Sequence, residues 1–299
     1  MTAVIKNQSL LNLIRKTHGF VENTDIEKHR QSQDYFGVLL ANGKDTVITE
    51  TDVSGTKCEW VAVNKAHLRK NIILYFHGGG FSTGSSIYAR TLTTKLALAT
   101  CMDVFCFDYR LAPENPYPAA AEDAMKIWNY LLLQGYGASN IMVAGDSAGG
   151  NLVLSLLLRL KKEERMLPGS LTLLSPWTDM TASGKSYQTK GEADPVLNEA
   201  YIRQMVGHYT AEDVSDLCNP YLSPVFGDFH GFPPTYIQVG DQEILLSDAS
   251  RLYKKMLKDG VYVKLDVFRG MWHVFQMSPF KTAYEAITQI ADFIFYNCR

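Results

Sequence analysis

Paired cysteines, a membrane-length apolar run and an excess of charge of either sign are all missing from this sequence. The five cysteines, Cys58, Cys101, Cys106, Cys218 and Cys298, are odd in number and irregularly spaced, with no C-x-x-C pair. That argues against both a disulfide framework and a zinc knuckle. Cys101 and Cys106 flank an apolar run and read as buried, inert small hydrophobes. The most apolar stretch, Leu152 to Leu160, is broken by Ser155 and Arg159 and runs into Lys161-Lys162-Glu163-Glu164. It falls short of the ~18 apolar residues that a membrane span needs. Met1 to Phe20 carries Lys6, Asn7, Gln8 and Arg15 without a continuous apolar segment, so it does not read as a secretory leader. Basic residues number 29 against 31 acidic ones, which argues against a broad electrostatic nucleic-acid binder. The expectation is a soluble, cytoplasmic protein with no membrane span and no nucleic-acid partner.

What is present is enough apolar material for a large core: 46% of 299 residues. Short apolar runs alternate with longer helical patterns. Ile72 to Phe76, Val104 to Phe107, Ile141 to Ala144, Leu171 to Leu174, Tyr236 to Val239 and Val261 to Val267 read as strands buried on both faces. Between and after them, Ala119 to Gln134, Ala148 to Glu164 and Ser247 to Asp259 have helix length. Ile287, Ile290, Ala291 and Ile294 give the last segment an amphipathic stripe. Alternation of this kind predicts an α/β fold with right-handed crossovers and a mostly parallel central sheet flanked by helices. Thr46 to Thr49 and Trp60 to Val63 are candidate antiparallel edge strands. Residues 1 to about 40 and 177 to about 222, the latter with a helical pattern over Glu199 to Tyr209, stand outside the alternation. An insertion after a strand's C-terminal end overlies the ligand crevice of such a sheet. Both segments are therefore expected to form a helical cap on a single domain spanning 1–299.

Gly145-Asp146-Ser147-Ala148-Gly149-Gly150 matches G-x-S-x-G between a strand and a helix. Alone the pattern is weak, since a glycine-rich turn with an ordinary serine gives the same letters. In this context it reads as a nucleophile elbow, in which a sharp turn exposes the Ser147 hydroxyl above the sheet. His77-Gly78-Gly79-Gly80 follows the strand Ile72 to Phe76. Loops of this type in esterases supply backbone N–H groups to an oxyanion, together with the N–H after the nucleophile. The candidates are Gly79, Gly80 and Ala148, with His77 holding the loop. A base is expected after the last strand. Of seven histidines His273 has that position; His18, His29 and His67 precede the core, His208 lies in the inserted segment, and His230 reads as exposed. An acid is expected after the strand Tyr236 to Val239, where Asp241, Glu243 and Asp248 all qualify by chemistry.

Over residues 70 to 299 these motifs resemble those of the hormone-sensitive-lipase-like branch of the α/β-hydrolases, the bacterial family IV esterases. Besides the two glycine motifs, Asp108-Tyr109-Arg110-Leu111-Ala112-Pro113-Glu114, Pro118-Ala119-Ala120 and Glu122-Asp123 are similar to a family block whose charged residues lock loops beside the site. The family's acid segment reads G-x-x-D-P-L. Setting Gly240 on its glycine places Glu243 on the acid, with Asp241 as the alternative and with Ile244 in place of proline. Asp194, although followed by Pro195, falls in the insertion and reads as a cap residue. The resemblance implies a serine hydrolase with the triad Ser147, Glu243 and His273, acting on short-chain carboxylic esters without metal or organic cofactor. It also implies a homodimer through the edge formed by the last strand. An amidase or lactonase would use the same triad, and a ligand-binding protein on the same scaffold would lack the histidine.

Overall fold

The computed structural model describes residues 25–41, 43–67, 70–211 and 216–297. The expectations that fall on residues 1–24, including the leader argument and His18, and on Cys298 lie outside them. Eight strands form one sheet: β1 Thr46–Val53, β2 Thr56–Val63, β3 Ile72–Phe76, β4 Asp103–Phe107, β5 Ile141–Asp146, β6 Ser170–Leu174, β7 Thr235–Gly240 and β8 Val263–Phe268. Their order is β1-β2-β4-β3-β5-β6-β7-β8. The β1–β2 and β2–β4 pairs are antiparallel and all later pairs are parallel. All six strands expected in the alternation are found, and so are the two antiparallel strands at one edge; β8 forms the other edge. Strands β3 to β7 are buried along their whole length, because helices cover both faces.

Eight helices accompany the sheet among the described residues: α1 Ile26–Leu40, α2 Ser86–Thr100, α3 Ala119–Leu133, α4 Ala148–Lys162, α5 Lys185–Thr189, α6 Glu199–Thr210, α7 Leu246–Lys258 and α8 Lys281–Asn297. Side chains alternate across each strand, so Ile72, Leu74 and Phe76 join the apolar cluster of α3, α4 and α7. Ile73 and Tyr75 join that of α2 and α8 on the other face. No helix among the described residues is long and apolar enough to cross a membrane.

The sequence patterns gave no sign of helix α2. Thr91, Thr93, Thr94 and Thr100 weaken its propensity. Most of its faces are buried, which leaves little polar-to-apolar contrast to detect. The Ser85 hydroxyl caps it by accepting the Tyr88 N–H at 3.0 Å. It ends at Cys101, whose left-handed backbone (φ 50°) leaves that cysteine half-buried rather than buried.

Both segments outside the alternation reach the loop after β3. On α1, Arg30 donates to the Ser82 carbonyl at 2.9 Å and forms a two-pronged pair with Glu114 at 2.8 Å. Gly37 packs so closely that a Cβ there would stand 2.1 Å from the Ile87 carbonyl oxygen. From the inserted segment, the Tyr209 ring stacks on Phe81 at 3.8 Å. Both helices thus sit beside the C-terminal end of β3, where the glycine loop emerges.

Candidate active site

The site assembles at the C-terminal ends of β3, β5, β6, β7 and β8. Ser147 links β5 to α4 with φ 52° and ψ −119°, a strained conformation for a residue with a side chain. The strain follows from the sharp reversal of strand into helix. Gly149 is required there because a Cβ would lie 2.0 Å from the Phe76 carbonyl oxygen at the end of β3. The α4 N-terminus is thereby pressed against the start of the glycine loop. Being the first residue of α4, Ala148 has an N–H with no partner within the helix.

In the loop His77–Gly84, Gly79 (φ 113°) and Gly80 (φ 61°) adopt backbone angles open chiefly to glycine. The Gly79 carbonyl accepts from Ser82 N–H and Thr83 N–H, closing the turn. Among the described residues, the Gly79 and Gly80 N–H groups donate to no backbone carbonyl. His77 is fully buried and stacked on Tyr109 at 4.0 Å, and its Nδ1 contacts the Gly78 carbonyl. Burial lowers its pKa, so it fits the loop-holding role expected of it. Asp146, beside the serine, ties the two motifs together: its Oδ1 accepts from the Gly78 N–H at 3.0 Å and the Tyr75 hydroxyl at 2.7 Å. Burial raises this carboxyl to about 6. The Arg110 guanidinium meets Asp123 and Glu122, each at 2.9 Å, and Asp108 accepts the Ser86 N–H. These contacts brace the neighbouring loops.

The three acids considered after β7 lie in different places. Glu243 is fully buried, and its Oε2 is 2.9 Å from His273 Nδ1. Its Oε1 accepts from the Ser175 hydroxyl at 2.9 Å and from the Gly240 N–H. Asp241 instead accepts the Gly270 N–H at 2.7 Å and so holds the turn after β8. Asp248, on α7, accepts the N–H groups of Thr178 and Asp179 at 2.8 and 2.9 Å. A Cβ at Gly240 would stand 2.3 Å from the Met271 carbonyl oxygen. Glycine at that position is what lets the acid loop and the histidine loop pack directly together.

Two further residues shape the site that the sequence patterns did not assign to it. Ser175, at the end of β6, donates to Glu243 and accepts the Val274 N–H at 3.1 Å, bridging the acid to the residue after His273. Asp194, read as a cap residue, accepts the Ile244 N–H at 3.0 Å on one oxygen. Its other oxygen accepts Val196 and Leu197 N–H, at 2.8 and 3.0 Å. Its Asp-Pro neighbourhood was the available signal, but nothing local connects it to a loop fifty residues away. Burial lifts its carboxyl to about 6. His273 is itself buried, which depresses its pKa, but Glu243, with Asp194 and Asp146 behind it, outweighs burial and leaves the pKa raised. Of the other histidines, His208 lies near Ser82 on α6, His67 pairs with Asp103, and His230 is exposed beside Asp228.

Helices on both faces of this sheet, a serine on a strained strand-to-helix turn and a buried carboxylate–imidazole pair define a class that the comparisons bear out. A family profile described as alpha/beta hydrolase fold matches residues 73–277. An esterase of Acinetobacter venetianus is 39% identical over 224 residues, covering 74% of each chain. An acetyl-hydrolase of Streptomyces hygroscopicus is 35% identical over 256 residues, covering 84% of this chain and 83% of its own. A crystal structure of an esterase from the bacterial hormone-sensitive lipase family superposes with a TM-score of 0.90 at 32% identity, covering 98% of both chains. The chain belongs to the α/β-hydrolase family, in its hormone-sensitive-lipase branch.

Proposed function

We propose that the protein is a serine carboxylesterase acting on short-chain acyl esters, with Ser147 as nucleophile, His273 as base and Glu243 as the acid. The observation that carries this reading is the buried 2.9 Å contact between Glu243 and His273 Nδ1. It occupies one ring nitrogen and leaves Nε2 to accept the serine proton. As Ser147 Oγ attacks the ester carbonyl, His273 takes that proton, and the N–H groups of Gly79, Gly80 and Ala148 receive the developing oxyanion. Collapse expels the alcohol, protonated by His273, and leaves an acyl-serine. Water, deprotonated by His273, then attacks the acyl carbon and restores Ser147. Glu243 holds the imidazole tautomer and stabilises its charged form.

The short-chain preference is supported by the acetyl-hydrolase among the relatives. It is also supported by α6, where Met205 stands against Gly80: a Cβ on that glycine would come within 2.8 Å of Met205 Cγ. We read α1 and the inserted segment as a two-part cap on a single catalytic domain, because both contact the loop that carries the oxyanion donors. Hydrolysis of p-nitrophenyl acetate, hexanoate and dodecanoate by the unmodified protein and by Ser147→Ala tests the reading. The expected result is a rate highest on the shorter esters and lost without the serine. A maximum at dodecanoate, or turnover that survives Ser147→Ala, would overturn it.

A further inference from the structure

Lys95 stands within α2 beside Leu92, Leu96 and Ala97, and is only 4% exposed. Its ammonium donates to three consecutive carbonyls, those of Gln276 at 2.7 Å, Met277 at 3.1 Å and Ser278 at 2.8 Å. On its other side the Tyr284 ring of α8 lies 4.8 Å away. Among the described residues no carboxylate is within ion-pair distance of it. A buried cation without a counter-charge is costly, and an apolar side chain of similar length would serve packing alone at lower cost.

The three carbonyls belong to the end of a single 3-10 turn, Phe275–Met277, two residues beyond His273. An ammonium there meets the negative end of the aligned peptide dipoles. The chain enters the turn through Val274 at φ 49°, a left-handed conformation poorly tolerated by a β-branched residue. Such a conformation persists only where its surroundings hold it. On one side the Val274 N–H is held by Ser175, which also donates to Glu243. On the other, Gln276 Nε2 donates to Gln238 at 3.0 Å, and Lys95 gathers the exit carbonyls. The helix carrying Lys95 begins directly after the glycine loop, so one rigid element bears on both the oxyanion donors and the base.

We infer that Lys95 is a positioning residue for His273: its ammonium clamps the strained turn that presents the imidazole to Ser147 and Glu243. This rests on the reading of His273 as the base. The groups facing Lys95 are the three carbonyls and the Tyr284 ring, and burial alone lowers its pKa, to about 8. Above that pH a neutral amine keeps two N–H donors for three carbonyls, and the clamp weakens. An arginine stays charged and keeps several donors.

The test compares unmodified enzyme, Lys95→Met and Lys95→Arg on p-nitrophenyl acetate across pH 6 to 10. Lys95→Met is expected to lower kcat about tenfold or more with KM within about threefold, because the ester still binds while the base is misplaced. Lys95→Arg is expected to recover most of kcat, and to keep it above pH 8, where the unmodified enzyme declines. Unchanged kcat in Lys95→Met overturns the inference. Should Lys95→Met fail to fold, the alkaline limb of Lys95→Arg decides: a profile coincident with that of the unmodified enzyme overturns it. Turnover by the unmodified enzyme, and its loss in Ser147→Ala, are the separate measurements on which the esterase reading stands or falls.

Discussion

The turn that carries Ser147 and the loop that carries Glu243 both present one side chain at the end of a buried strand, yet they are held differently. Ser147 is placed mainly by its neighbours in the chain, strand β5 before it, helix α4 after it and glycines that permit the reversal, and its contacts from further off are backbone ones, with Leu174, Trp177 and the end of β3. Glu243 is placed from a distance, by Ser175 just after β6, by Asp194 in the inserted segment and by the close approach of Gly240 to Met271. A locally determined group tolerates change elsewhere in the chain. A group held by long-range contacts inherits the stability of every segment that touches it, and this makes the acid–base side the more fragile half of the site.

Removing the hydroxyl proposed as nucleophile should have the largest effect. Ser147→Ala is expected to cut kcat by ~10⁴-fold or more while leaving thermal stability nearly unchanged or slightly raised, because among the described residues that hydroxyl makes no hydrogen bond for alanine to remove. A melting temperature several degrees lower would show that the turn is less self-sufficient than the comparison holds. Next comes Glu243→Gln, expected to cost ~10³- to 10⁴-fold in kcat. The amide must turn an N–H₂ group toward His273 Nδ1 or toward the donors Ser175 and Gly240, so it also loses stability.

The acid limb of kcat/KM sharpens the contrast. His273 must be neutral to act as a base, and its folded pKa is raised. Activity should therefore fall on acidification with a midpoint above the ordinary imidazole value of 6.5. Asp194→Asn removes one of the carboxylates that raise this pKa, so the midpoint should move down. It also leaves one of the N–H groups on Asp194 facing an amide N–H₂, at a cost of ~1–3 kcal/mol in stability. A pH–rate profile and a melting curve of the same variant read both, and an unmoved midpoint would separate Asp194 from the base. The smallest effect belongs to Asp241→Asn. It loses charge but can still accept the Gly270 N–H, so kcat is expected within about threefold of normal. A loss comparable to that of Glu243→Gln would reverse the assignment of the acid.

The pattern of what could be read in advance follows the same divide. Period and length located all six core strands and the helices α3, α4, α6, α7 and α8, because burial of one helix face or both strand faces writes itself into neighbouring letters. Helix α2 escaped because it is buried almost all round and rich in threonine. Chain order and the strand-to-helix setting marked Ser147 and His273. Three carboxylates after β7 remained equal on chemical grounds, since each could orient an imidazole. Ser175 and Lys95 carried no mark, a serine after a strand and a lysine in a helix being common features.

By itself, the sequence determined which short segments would be strand or turn, and where a serine had to be forced onto a reversal. Those properties depend on residues a few positions apart, which backbone sterics and local burial couple directly. Only the tertiary structure decided that Glu243 meets His273 while Asp241 turns to Gly270, that Asp194 reaches the acid loop from the insertion, and that Lys95 caps the turn beyond the base. Each of these is a hydrogen bond between groups 29 to 183 residues apart. The energy of such a bond depends on ångström distances that packing of the whole sheet and its helices sets, and no local pattern encodes them.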